Sequence, residues 1–115
     1  MTPFETLHRQ RATTVVAPDG SAVRPLLGLA GGSMAEFELA PGHTSAAVTH
    51  RTVDEIWYVL HGHGEIWRRQ GTREDVVPLE PGVCLTIPVG THFHFRSLGE
   101  GPLPVGGVTM PPRPG

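Results

Sequence analysis

The chain contains no lysine, and all nine of its basic residues are arginine. Schiff-base and lysine general-base chemistry are therefore excluded, and any base must be sought elsewhere. Cysteine is nearly absent too. The lone Cys84 cannot form an internal disulfide, and the N-terminal "MTPFETLHRQR" lacks the continuous apolar run of a signal peptide. A cytoplasmic location is expected. Cys84 lies in the apolar run "VCLTIP", where a buried, inert thiol is a simpler reading than a nucleophile. With a net charge of -2 and scattered arginines, the chain has no basic stripe to track phosphates. Nucleic acid and membrane surfaces are not expected partners. Also missing is any segment that keeps a 3.6-residue apolar period over about ten residues, so no helix is predicted beyond a short turn in "PFETLHRQ". No repeat or linker interrupts the chain.

What is present points to an all-β protein. At 115 residues the chain fits one domain. Fifteen glycines and twelve prolines separate short apolar bursts, which reads as many tight turns. Strand-like runs recur: "ATTVV", "AVRPLLGL", "SMAEFEL", "SAAVTH", "EIWYVLH", "GEIWRRQ", "EDVVPL", "VCLTIP", "HFHFRSL" and "PVGGVTM". Their spacing of roughly 8 to 12 residues predicts a sandwich or small barrel. In "EIWYVLH", Glu55, Trp57, Val59 and His61 share one face and Ile56, Tyr58 and Leu60 the other. Both sets are largely apolar, so the strand is expected to be central and covered on both sides. A buried Glu55 then needs a partner, a metal or a proton.

Trp57 and Trp67 are expected on adjacent strands, paired across a hairpin as core. Glu36 and Glu38 read as the solvent face of a half-buried strand. His61 and His63 read as solvated turn residues, His8 and His43 as surface histidines, and "RRQGTRED" as a solvated tip that includes Arg68 and Arg69. The tail "GVTMPPRPG" ends in a proline-rich extension that cannot pair as a central strand and is expected to lie as a short arm over the barrel or across a dimer partner.

Two stretches carry a family resemblance. The frame Gly42, Val48, His50, Glu55 and Gly62 is similar to the first motif of the cupins: Gly, five residues, His-x-His, a short spacer, Glu, six residues, Gly. Val48 stands where that motif has its first histidine. In "PGVCLTIPVGTHFHFRS", Gly82, Pro88 and Gly90 keep the places of the second motif. Phe93 occupies its histidine position and Ser97 its asparagine position, with His92 and His94 on either side of Phe93. The resemblance covers about residues 33 to 110 of a single domain spanning 1–115, leaving an N-terminal arm (1–11) and a Pro-rich tail (110–115).

The resemblance implies a small jelly-roll β-barrel of two antiparallel sheets, a cupin-like double-stranded β-helix, and a homodimer. It also implies a divalent transition metal (Mn, Fe, Ni, Cu or Zn) held by imidazoles and a carboxylate, here His50, Glu55 and His92. Glu55 is the candidate catalytic residue, moving protons in dioxygenase, isomerase or decarboxylase-like chemistry on a small organic substrate. His92 points inward only if the Pro-x-Gly turn is one residue tight and a bulge restores the register afterwards. Without that bulge Phe93 and Phe95 face inward and both histidines face out, with His94 as the fallback ligand. The cavity is then an apolar pocket of Val48, Trp57, Phe93 and Phe95, suited to a small organic ligand and not to an ion. Enzyme, metal-free binding or sensing module, and structural dimerisation barrel all stay open.

Overall fold

In a computed structural model of the protein, which describes residues 1–49 and 52–113, turn-forming residues cut the described residues into ten strands. These are β1 (Val15–Val16), β2 (Ala22–Leu29), β3 (Gly32–Leu39), β4 (Val48–Thr49), β5 (Asp54–Val59), β6 (Gly64–Gln70), β7 (Arg73–Leu79), β8 (Cys84–Ile87), β9 (His92–Ser97) and β10 (Leu103–Met110). The N-terminal turn is a 3-10 helix, Arg9–Arg11. Among the described residues no helix is long and apolar enough to cross a membrane.

The strands form a six-stranded sheet, β1-β2-β3-β10-β5-β8, and a four-stranded sheet, β4-β9-β6-β7, each antiparallel. The expected jelly roll is thus present as two facing sheets. Alternation along each strand sends one set of side chains into the space between them. Phe37, Trp57, Val59, Ile87 and Val105 from the larger sheet meet Ile66, Leu79, Phe93 and Phe95 from the smaller, and all are buried. At the centre Trp57 stacks on Phe37 (centroids 5.5 Å, planes 22° apart) and meets Phe95 edge-on at 4.9 Å and Phe93 at 5.7 Å. These are the offset and T-shaped geometries that aromatic quadrupoles favour.

The motif glycines have a structural reason to be glycine. Gly42, Gly62, Gly82 and Gly90 have φ of 73°, 81°, 94° and 84°, the left-handed region that side chains disfavour and tight turns demand.

Several expectations are corrected. β5 is central in its sheet, between β10 and β8, but only its inner face is covered: Glu55, Trp57 and Val59 are buried while Ile56 and Tyr58 are exposed. The chain from β5 to β6 crosses between sheets, so Trp57 and Trp67 do not pair across a hairpin; Trp67 lies on the outside, stacked on His94 with centroids 5.0 Å apart. Cys84 is exposed: it lies on the outer face of the edge strand β8, and alternation turns Leu85 inward in its place. Glu36 lies on the outer face as expected but is buried beneath Arg9, which makes a two-point ion pair with it at 2.8 and 3.0 Å.

Candidate functional site

A cavity of about 220 Å³ opens between the two sheets. Its apolar wall is built by Phe37 of β3, Val48 of β4, Trp57 of β5 and Phe93 of β9, each turned inward by the alternation of its strand. Asp19, in the turn between β1 and β2, Thr49 and Arg113 supply its polar edge. Asp19 Oδ1 accepts from the Ser21 backbone N–H at 2.9 Å and from its hydroxyl at 2.6 Å, which fixes the turn.

Behind this edge lies Glu55, only 1% exposed. The Trp57 indole Nε1–H donates to its Oε1 at 3.4 Å, and Arg113 Nη2 donates to the same oxygen at 3.4 Å. The guanidinium carbon of Arg113 sits 4.9 Å from the centroid of Phe37, within range of a cation–π contact. The Arg113 backbone N–H donates to Ser33 Oγ at 3.0 Å, and Ser33 Oγ and Thr109 Oγ1 lie 2.7 Å apart. The C-terminal tail therefore folds back over the opening and presses a cation between the cavity and the buried carboxylate.

Of the residues singled out from the sequence, Val48, Trp57 and Phe93 line this cavity together. Phe95 is buried against Trp57, outside the cavity lining. Glu55 is adjacent, reached through Arg113. His50 lies outside the described residues. His92 and His94 do not join Glu55. β9 pairs with β6 residue for residue, from Gly64 opposite Ser97 to Arg69 opposite His92, with no bulge in the pairing. Unbroken alternation turns Phe93 and Phe95 inward, and it leaves His92 exposed, with its Nδ1 2.7 Å from Thr49 Oγ1.

Among the described residues no three His, Cys, Asp or Glu side chains are grouped so as to hold a metal ion. The described residues here offer a divalent ion the carboxylates of Asp19, at the cavity's edge, and Glu55, already faced by the Arg113 guanidinium, beside aromatic and aliphatic carbon. Among the described residues this set falls short of the three protein ligands of a catalytic zinc site.

Arg113, Phe37, Asp19 and Thr49 were not singled out as site residues from the sequence. Phe37 falls on the inner face by alternation alone. Arg113 leaves a weaker signal, a single charge set among prolines in "PPRPG". Elsewhere Arg68, expected in a solvated tip, is half-buried: it forms a two-point pair with Asp75 at 3.2 and 3.0 Å and donates to the Thr86 carbonyl at 2.9 Å.

Solved structures similar to this chain share its fold. KdgF from Halomonas sp. superposes with a TM-score of 0.82 at 17% identity, covering 96% of each chain. The polyketide cyclase RemF from Streptomyces resistomycificus gives 0.78 at 21% identity over 98% of this chain and 83% of its own. A predicted oxalate decarboxylase from Thermotoga maritima gives 0.75 at 19% identity over 92% and 98%. No curated protein matches the chain in sequence. The family model described as "Cupin domain" matches residues 35–107, more than half of the chain. With both glycine frames at the turns of a two-sheet jelly roll, the chain belongs to the cupin family.

Proposed function

We propose that this chain binds a small organic molecule, about the size of a single ring, in the cavity between its sheets. The observation that carries this reading is the cavity's chemistry: Phe37, Val48, Trp57 and Phe93 on one side, and Asp19, Thr49 and Arg113 on the other. A concave apolar surface with a few converging polar groups is the usual form of a small-ligand site. Its volume of about 220 Å³ exceeds the roughly 150 Å³ that suffices to hold benzene, and falls short of the roughly 300 Å³ at which drug-sized pockets begin. Binding or sensing stands ahead of catalysis, because the described residues of the wall offer apolar surface where coordination would need donors.

The direct test is a titration of isotope-labelled protein with benzyl alcohol, following the indole N–H resonances of Trp57 and Trp67. A saturable shift of Trp57 with Trp67 unmoved supports the reading; no shift, or equal shifts at both, rejects it.

A second reading, a metal-dependent enzyme of dioxygenase, isomerase or decarboxylase type, is favoured by one observation. Glu55 is buried at the motif's carboxylate position. It requires donors beyond those the described residues bring together. Incubation with Mn, Fe, Ni and Zn followed by elemental analysis separates the two: stoichiometric uptake that is lost in Glu55→Gln favours the enzyme. A homodimer belongs to the proposal as well. Exposed Met34 and Ile56 flank Val108 in register across the outer face of the six-stranded sheet, an apolar row that a second copy would cover. Sedimentation at micromolar concentration checks it.

A further inference from the structure

β7 and β8 are edge strands of their sheets, and a second cavity of about 220 Å³ lies where those edges meet. The inner face of the smaller sheet turns polar there. Ile66 pairs with Val77, Arg68 with Asp75 and Gln70 with Arg73. Ile66 is buried in the core, so alternation places the other two pairs on the same inward face. Charged residues are rare in such positions unless paired. Arg68 is paired: its fork meets Asp75 at 3.2 and 3.0 Å, and its Nη1 donates to the Thr86 carbonyl at 2.9 Å, tying one sheet to the other. These bonds leave one N–H on each terminal nitrogen without an acceptor among the described residues. Gln70 Nε2 donates to Thr91 Oγ1 at 3.1 Å, and the Thr91 hydroxyl keeps its own proton to donate.

Arg73 is different. It is exposed, two positions before Asp75 and opposite Gln70, and it pairs with no carboxylate among the described residues. Two guanidiniums therefore share this end of the face with one carboxylate. Diagonal cross-strand neighbours such as Arg68 and Arg73 stand roughly 7 to 8 Å apart, and like charges so placed repel unless an anion lies between them. Arg69 also lines the cavity, but its guanidinium lies over Trp67 on the outer face, 5.7 Å from the ring centroid, and adds nothing to the inward charge. The residues outside the description, His50, Arg51, Pro114 and Gly115, have no acidic side chain that could cancel the excess.

We propose that this second cavity binds a small oxyanion, a phosphate or carboxylate group, held between Arg68 and Arg73 with the Thr91 hydroxyl as a further donor. Asp75 orients the Arg68 fork and also opposes the anion, so it sets an upper bound on affinity. The site is distinct from the ring-lined cavity. Val48, Phe93, Arg68 and Asp75 form one register row across β4, β9, β6 and β7, so Phe93 stands between the two.

Gln10 and Gln70 carry the only side-chain amides in the sequence. The Gln70 carboxamide resonances therefore report on the cavity, and those of Gln10 serve as the control. Isotope-labelled protein is titrated with sodium phosphate and with sodium acetate, against sodium chloride at matched ionic strength. A saturable shift of Gln70 with Gln10 unmoved is expected, and the salt that saturates tells phosphate from carboxylate. Arg73→Gln is expected to weaken that binding about fivefold, and Asp75→Asn to tighten it severalfold. Should Asp75→Asn fail to fold, Arg73→Glu reverses an exposed charge and is expected to abolish the shift.

Shifts with phosphate and acetate no larger than those with chloride, or Gln10 and Gln70 moving alike, overturn the site. Unchanged affinity in Arg73→Gln overturns it by placing the anion elsewhere. Saturation by tetramethylammonium alone overturns it in favour of a cation at Asp75. The response of Trp57 to benzyl alcohol is read separately, so failure here is distinguishable from failure of the ring-lined cavity.

Discussion

Val48 and Phe93 stand opposite one another across β4 and β9, at the two positions where the family motifs carry histidine. Each presents carbon to the space between the sheets, and that exchange of imidazole for methyl and phenyl groups turns a donor-lined wall into an apolar one. Phe93 is also part of the core, 1% exposed with its ring 5.7 Å from Trp57. Phe93→Ala is expected to cost about 3 to 5 kcal/mol, read from the denaturant midpoint, because truncation removes the ring and leaves a void that the surrounding rings cannot close. His92, the next residue, faces the opposite way and makes one exposed hydrogen bond. Its replacement by alanine should change stability by no more than about 0.5 kcal/mol. A loss at His92 as large as that at Phe93 would mean the strand is turned over.

At the level of elements, the closest fit in the larger sheet is at Gly107 of β10. A Cβ there would lie 2.5 Å from Phe37 Cε2 and 3.3 Å from Trp57 Cδ1. The absent side chain is what lets the Phe37–Trp57 stack press against β10. Gly107→Ala is expected to destabilise by about 1 to 3 kcal/mol through overpacking, and to weaken benzyl alcohol binding because the displaced rings form the cavity wall. The N-terminal arm is held by a different device. Arg9 clasps Glu36 of β3 from outside the sheet, and this hydrogen-bonded guanidinium, with its charge and that of Arg24, holds the Glu36 carboxyl below its ordinary range against the opposing effect of burial. A carboxyl lowered on folding contributes stability that is present above about pH 4.3, the value for a free glutamate, and is lost as the pH falls through its lower folded value. Wild type should therefore lose thermal stability more steeply than Arg9→Ala between pH 5 and pH 3, while the difference between them stays constant above pH 6. Thermal melts across that range provide the check.

For the whole molecule, strand positions were legible because alternation and turn formers are local. β2 and β6 match the runs "AVRPLLGL" and "GEIWRRQ" residue for residue, and inward Phe93 and Phe95 follow from unbroken parity. Relations between distant segments were not legible in this way. Trp57 and Trp67 are close in sequence, but a turn that changes sheets puts one inside and the other outside. Cys84 sits in an apolar run, yet its exposure depends on what packs on the outer face of β8. Ile56 and Tyr58 show the same limit, since a central strand can still have one bare face. Arg113 is the sharpest case: its role comes from a tail folding back onto Glu55 and Phe37, 58 and 76 positions away in sequence.

On the proposed function, the space walled by Phe37, Val48, Trp57 and Phe93 receives a ring-sized ligand. Crystals soaked in 3-bromobenzyl alcohol test it most directly, because bromine's anomalous signal locates the molecule without reference to the protein's own density. The predicted result is a bromine peak between Trp57 and Phe93 that disappears when Val48→Trp fills the space. A peak only on the outer sheet faces, or none at saturating ligand, would contradict it.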